Sequence, residues 1–160
     1  SAIAVGSTKS YPAFWGKSDE TSDVKVFSIE GFWGNIYEGM AGMVLINGDI
    51  KVKMTPPYNI NGTGYTSTGV TPSGTSSGFV SSVKEYSDLG YVPSVASGSG
   101  TTFYCDGLWY VIHATNIYYA LACGSWSRAL LCGSRTMNLN VVASDADTNR
   151  GSRLSYLPRA

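Results

Sequence analysis

Charge is scarce in this chain. Asp, Glu, Lys and Arg make up 14% of its 160 residues, against about 25% in ordinary globular proteins. The 11 basic and 11 acidic side chains cancel, so no net field draws the chain to DNA, RNA or an anionic surface. A nucleic-acid partner is not expected. No apolar run approaches the roughly 18 residues of a membrane-spanning helix, and membrane insertion is not expected either. His113 is the single histidine, and Cys105, Cys123 and Cys132 form an odd set without a CxxC or a His-Cys spacing. That set builds neither a full disulfide framework nor a zinc site, which leaves buried free thiols as the default. Gly62-Thr63-Gly64 lacks the lysine and the strand-to-helix setting of a phosphate loop. No cofactor and no metal is implied. The start at Ser1, without a charged-then-apolar leader, reads as a mature form or a piece of something longer.

Glycine and aromatic residues are what the chain has in quantity: 19 Gly, 11 Tyr, 5 Phe and 4 Trp. These favour turns and strands over long helices. One domain is expected, since a chain of this length buries about 70% of its unfolded surface. Residues 1 to 23 read as a polar N-terminal arm with Tyr11, Phe14 and Trp15 as anchors, and residues 24 to 160 as the domain. Residues 36 to 46 read as a strand that enters a hairpin at Asn47-Gly48. There Ile50, Val52 and Met54 alternate with Lys51 and Lys53, placing one face inward. Residues 59 to 78 are rich in Gly, Thr, Ser and Asn and read as a long loop. Short strands are expected over 79 to 83 and 90 to 95, a second hairpin at Asp106-Gly107 between 101 to 105 and 108 to 113, and a strand over 118 to 123.

All six lysines lie between Lys9 and Lys84, and all five arginines between Arg128 and Arg159. Arginine's planar fork suits contact surfaces better than the hydrated lysine ammonium. In the same C-terminal third, Gly124-Ser125-Trp126 and Leu154-Ser155-Tyr156 bracket a segment with no helix or strand period. Ordered segments of that kind usually carry binding. A Ser-His-Asp arrangement would have to use His113, which has no nucleophile-elbow motif beside it and reads as structural. Glu38 and Asp106 read as turn and core hydrogen-bonding groups rather than a carboxylate pair.

Taken in order, Gly31-Phe32-Trp33-Gly34-Asn35-Ile36-Tyr37-Glu38 and Gly124-Ser125-Trp126 through Gly151-Ser152-Arg153-Leu154-Ser155-Tyr156 resemble one family. It is the variable C-type lectin fold proteins diversified by retroelements, of the type found in gut bacteriophages and their Bacteroides-like hosts, and the resemblance spans roughly residues 24 to 157. It implies an α+β, C-type lectin-like fold: small mixed and antiparallel sheets, short helices, long ordered loops, and a variable ligand-binding segment at about 118 to 153. In such systems reverse transcription alters bases at template adenines, so that an asparagine codon becomes many residue types but never Lys, Glu, Gln or Trp. No Lys, Glu or Gln follows Glu85 in this chain. Met137 is also out of reach from such a codon and belongs to the frame or to another codon.

By this correspondence the contact residues are Ser127, Arg128, Leu130, Leu131, Arg135, Thr136, Asn138, Asn140, Val141, Asp145, Asp147 and Asn149. Trp126, Gly133, Leu139, Ala143, Ser144, Gly151, Leu154 and Tyr156 would hold the backbone. The implied function is a non-enzymatic receptor-binding domain on a phage tail or bacterial cell surface, with a host or bacterial surface protein or glycan as partner. A homotrimer within a larger tail protein fits that setting by analogy. The Glu-Pro-Asn, Gln-Pro-Asp and Trp-Asn-Asp triplets of calcium-dependent lectins are absent. Two alternatives remain. One is an oxidase of the formylglycine-generating type, which Trp33-Gly34-Asn35-Ile36-Tyr37-Glu38 also resembles, although Cys123 and Cys132 do not reproduce its paired cysteines. The other is a structural tail or fimbrial module.

Overall fold

The computed structural model describes Gly6, Ser10, residues 23–26 and 29–101, Tyr104, and residues 106–112 and 115–152. Apart from Gly6, Ser10 and Asp23, the expected N-terminal arm lies outside the described residues, as do Cys105, His113, Leu154 and Tyr156.

Two short strands, β1 (Lys25–Val26) and β2 (Ile29–Glu30), pair as a ribbon. All the others belong to one sheet: β3 (Tyr37–Ile46), β4 (Asp49–Val52), β5 (Thr66–Val70), β6 (Ser73–Gly74), β7 (Ser77–Tyr86), β8 (Gly90–Gly98), β9 (Gly107–Tyr110), β10 (Ile117–Ala122), β11 (Met137–Val141) and β12 (Arg150–Gly151). Their spatial order is β5-β4-β3-β10-β11-β9-β7-β8-β6, with β12 beside the start of β3. The sheet is mixed: β9 with β11, β6 with β8 and β12 with β3 run parallel, and the remaining pairs antiparallel.

The α+β, C-type lectin-like expectation is overturned here. Strands take up 49% of the described structure and helix 2%, the latter a single 3-10 turn at Ala129–Leu131. Part of the error lies in residues 59 to 78, where β5 and β6 replace the expected long loop. Their Thr, Ser and Gly residues supply no apolar alternation. Thr68 nonetheless faces inward, because its buried hydroxyl donates to the Ile50 carbonyl at 2.7 Å and accepts from the Val70 amide at 3.1 Å. Gly107 is also not the turn expected of it: it begins β9 and pairs with Phe79 of β7, while residues 102, 103 and 105 of the expected first arm lie outside the described residues. The Asn47-Gly48 turn forms as read, with φ of 52° and 77° and Ile46 opposite Asp49.

The sheet curls back on itself. Its two ends, β5 and β6, are joined by Thr71-Pro72 alone, so Val70 and Ser73 can be at most about 11 Å apart. Lys84 of β7 reaches across this seam and donates to the Gly69 carbonyl at 2.7 Å. The enclosed face holds one core, in which Met43, Leu45, Ile50, Val70, Val80, Val92, Leu108 and Leu139 pack together. A smaller cluster of Tyr37, Leu121 and Val141 lies apart from it. Of the register shifts in the sheet, two flank β10. Between β3 and β10 the register jumps from Leu121 opposite Gly39 to Tyr119 opposite Val44, leaving residues 40 to 43 as a bulge in β3. Between β10 and β11 it jumps from Leu121 opposite Asn138 to Tyr119 opposite Val141, which turns Val141 toward the second cluster. No helix among the described residues is long and apolar enough to cross a membrane.

Leu139 is fully buried, whereas Leu130 is 80% exposed. Leu139→Ala is therefore expected to lower the unfolding free energy by about 2–5 kcal/mol, and Leu130→Ala to change it by no more than about 0.5 kcal/mol, both read from urea denaturation. Equal effects would contradict this placement of the core.

Candidate functional site

The strand registers bring the starts of β3, β9, β11 and β12 and the end of β10 to one rim of the sheet. Ala122 lies opposite both Glu38 and Met137, Met137 opposite Leu108, and Arg150 opposite Tyr37. Between Ala122 and Met137 the chain makes an excursion over this rim. The excursion is closed at its base by the Cys123 amide donating to the Thr136 carbonyl at 3.0 Å. The Gly34-Asn35 segment clamps it from the side: the Gly34 amide donates to the Cys123 carbonyl at 2.8 Å, and the Trp126 amide to the Asn35 carbonyl at 3.0 Å.

The hydroxyl of Thr136 organises the return limb. It donates to the Leu131 carbonyl at 2.6 Å and accepts from the amides of Gly133 at 2.9 Å and Gly107 at 3.3 Å. Beside it, Asp106 Oδ1 accepts the Arg135 amide at 3.2 Å. Gly133 presses so close to that carboxylate that a Cβ there would sit 1.9 Å from Oδ1. Gly124, at φ +70°, meets Cys132 just as closely, with a notional Cβ 2.7 Å from Sγ. Both positions need glycine for close approach. The Cys132 thiol in turn donates to the Ser125 carbonyl at 3.0 Å.

A second loop, residues 142 to 149, joins β11 to β12. It is pinned by the Asp145 amide on the Val142 carbonyl at 3.0 Å and by the Val142 amide on Asp145 Oδ2 at 3.3 Å. Arg150 approaches Asp145 at 3.8 Å, a partly exposed pair that adds little stability. Both loops meet at Tyr37, which is 1% exposed. Its amide donates to the Asn149 carbonyl at 2.9 Å. Its ring stands edge-on to Trp109, centroids 6.3 Å apart, and the Arg128 guanidinium lies 5.0 Å from the centroid of the same indole. A stacked arginine of this kind contributes about 0.5–2 kcal/mol.

The Tyr37 hydroxyl, Arg128 Nε and Asn149 Oδ1 are buried without a hydrogen-bond partner among the described residues. Burial raises the Tyr37 pKa, and the nearby Arg128 and, less strongly, Asn138 oppose the shift. Burial likewise pushes the Cys132 thiol up, against weaker lowering by the backbone around it and by Arg128. A thiol held protonated is a poor nucleophile. Among the described residues, Cys123 and Cys132 form no disulfide, and no three His, Cys, Asp or Glu side chains gather as a metal-ligand set.

The twelve residues read as contacts fall into three groups. Ser127, Leu130, Arg135, Asn140, Asp145 and Asp147 are exposed on the two loops and the end of β11, and Arg128, Leu131 and Asn149 are half-buried. Thr136, Asn138 and Val141 are buried, at 1%, 3% and 1% exposure, so a ligand does not reach them. Thr136 is the hydrogen-bond hub, Asn138 Oδ1 accepts the Asn140 amide at 2.9 Å, and Val141 packs beside Tyr37 and Leu121. The residues read as frame also divide. Leu139 is in the core, Gly133 is packed and Gly151 lies in β12, but Ala143 and Ser144 are exposed. Trp126 presents an indole that is 42% exposed while its amide is tied to Asn35. Trp126 is the surface group that sequence reasoning missed, and its place at the head of the irregular run was the available signal. Compared with protein-family models, curated proteins and solved structures, the chain has no match.

The raised Cys132 pKa carries a pH dependence. The folded chain keeps this proton at pH values where the unfolded chain, with a thiol near about 8.5, loses it. The associated stability is complete below the unfolded value and declines as pH rises through the folded one. The urea midpoint is expected to fall as pH rises above the unfolded thiol value of about 8.5, and Cys132→Ser to shrink that fall. An unchanged slope in Cys132→Ser would rule the thiol out as its source.

Proposed function

We propose that this chain is a non-enzymatic binding module of a phage tail or bacterial surface, whose retroelement-diversified contact positions sit on the rim excursion and the 142–149 loop. The scaffold is a curled β-sheet. What supports the reading is the division of labour in those two loops. Their backbones are fastened at Cys123, Trp126, Thr136 and Asn149, while Ser127, Leu130, Arg135, Asn140, Asp145 and Asp147 stand in solvent. Exposed positions of this kind change at a cost within about 0.5 kcal/mol each, which is the physical condition for tolerating many residue types. Trp126, Leu130 and Arg135 together offer the aromatic, apolar and guanidinium groups enriched at interface centres. The oxidase alternative calls for reactive thiols, and the raised pKa of Cys132 works against it.

Replacing Leu130, Arg135, Asn140 and Asp147 together by alanine is expected to abolish adsorption of the labelled protein to its host cells, with Tm shifted by no more than about 8 °C. Thr136→Ala, which strips the hub hydroxyl, is expected to cost about 1–3 kcal/mol of stability. Unfolding of the four-residue variant, or undiminished adsorption, would sink the reading. The DNA beside the gene offers an independent check: a near-identical repeat that differs at adenines, next to a reverse transcriptase gene, is the expected finding.

A further inference from the structure

Away from the rim, the bulge in β3 is covered by the loop that joins β4 to β5, and the two enclose a cleft of about 180 Å³. Its walls include Met40, Tyr58, Asn59, Ile60, Tyr65 and Tyr119. The loop is rigidly built. Asn59 Nδ2 donates to the Thr63 carbonyl at 2.9 Å and its Oδ1 accepts the Thr63 amide at 3.1 Å, while the Tyr65 hydroxyl donates to the Asn59 carbonyl at 2.8 Å. Tyr58 is fixed from below, since its ring lies against Gly42 of the bulge, where even a Cβ would come within 3.0 Å of the ring. The rigid loop holds Tyr58 and Ile60 at the surface, 38% and 66% exposed.

Two features select the occupant. Among the described residues, no carboxylate, ammonium or guanidinium lines the cleft, and the Lys53 ammonium beside it is engaged by the Pro57 carbonyl, so a charged group would find no counterpart on these walls to replace its lost water. The volume is also below the roughly 300–1,000 Å³ of pockets that take drug-sized ligands, which limits the occupant to about one ring. What the walls offer is aromatic face together with phenolic oxygen. Tyr58 and Tyr119 each bring a phenolic donor and acceptor to the walls, and Tyr65 keeps its acceptor capacity after donating to Asn59.

We propose that this cleft binds one neutral pyranose unit of a surface glycan. The apolar CH face of the sugar lies on the tyrosine rings and its hydroxyls bond to the phenolic oxygens. The site belongs to the framework: none of its residues lies on the rim excursion or the 142–149 loop, and it stands or falls separately from the rim.

The test uses the intact protein and a panel of free neutral hexoses, glucose, galactose and mannose, with tyrosine ring signals followed by NMR. At least one hexose is expected to shift the signals of Tyr58, Tyr65 and Tyr119 with millimolar affinity. Tyr58→Ala and Tyr119→Ala should each weaken binding at least about tenfold, whereas Tyr58→Trp, which keeps the aromatic face, retains it. Leu130→Ala and Arg135→Ala leave it unchanged, which separates this site from the rim. Tm of each variant is measured alongside, and Tyr58→Trp carries the test if an alanine variant does not fold. Absence of shifts with all three hexoses overturns the proposal. So does binding that survives Tyr58→Ala, or a cleft that responds to an apolar peptide and to no sugar.

Discussion

Thr71-Pro72 gives the chain two residues in which to pass from one end of the sheet to the other. A flat sheet of this strand order would separate β5 and β6 by many strand widths of about 4.8 Å each, so the short link is compatible only with a sheet rolled upon itself. Rolling decides the rest. It gathers Val70 from one end and Val80, Val92 and Ala96 from the other into one core with Leu45 and Leu139, and it leaves the opposite face to be covered by whatever the loops supply. It also creates rims, and one of these carries the excursion between β10 and β11.

On that rim, the groups that anchor the backbone and the side chains that face solvent are separated at the level of atoms. The excursion is held by main-chain groups and by the side chains of Thr136, Asp106 and Cys132, whose partners are backbone. Main-chain bonds do not depend on which side chain sits at Ser127 or Leu130. Ser127, whose hydroxyl meets that of buried Ser125 at 3.0 Å, is one exception, and Arg128 is another. Half-buried over Trp109, it links the identity of one outward-reading position to the packing beneath, so this residue shapes the surface as well as belonging to it.

The local parts of the fold were legible in the sequence. Asn47-Gly48 announced its turn, Ile50 and Val52 their inward face, and the apolar run at 118 to 123, headed by two tyrosines, its strand, because each signal is contained within a few neighbouring residues. The global parts were not. Nothing local marks Thr66 to Val70 as a strand, since Thr68 replaces an apolar side chain by a hydrogen-bonded hydroxyl. The bulge in β11 breaks the two-residue alternation, which made Asn138 and Val141 look like loop positions when both are buried. Asp106-Gly107 has the composition of a turn, yet the carboxylate serves a segment 29 residues further on. The lectin-like expectation came from motif order, which records kinship of sequence pattern and carries no information about strand closure.

The hydrogen bond from the Cys123 amide to the Thr136 carbonyl, continued by Ala122 opposite Met137, makes the excursion a loop whose ends are already joined. The entropy of bringing those ends together is therefore borne by the sheet and depends little on what lies between them. Closure entropy grows only logarithmically with length, by about 0.6 kcal/mol for each doubling. The rim can thus accommodate differences in loop length as readily as differences in side chain, and the repertoire open to this scaffold includes shape as well as chemistry.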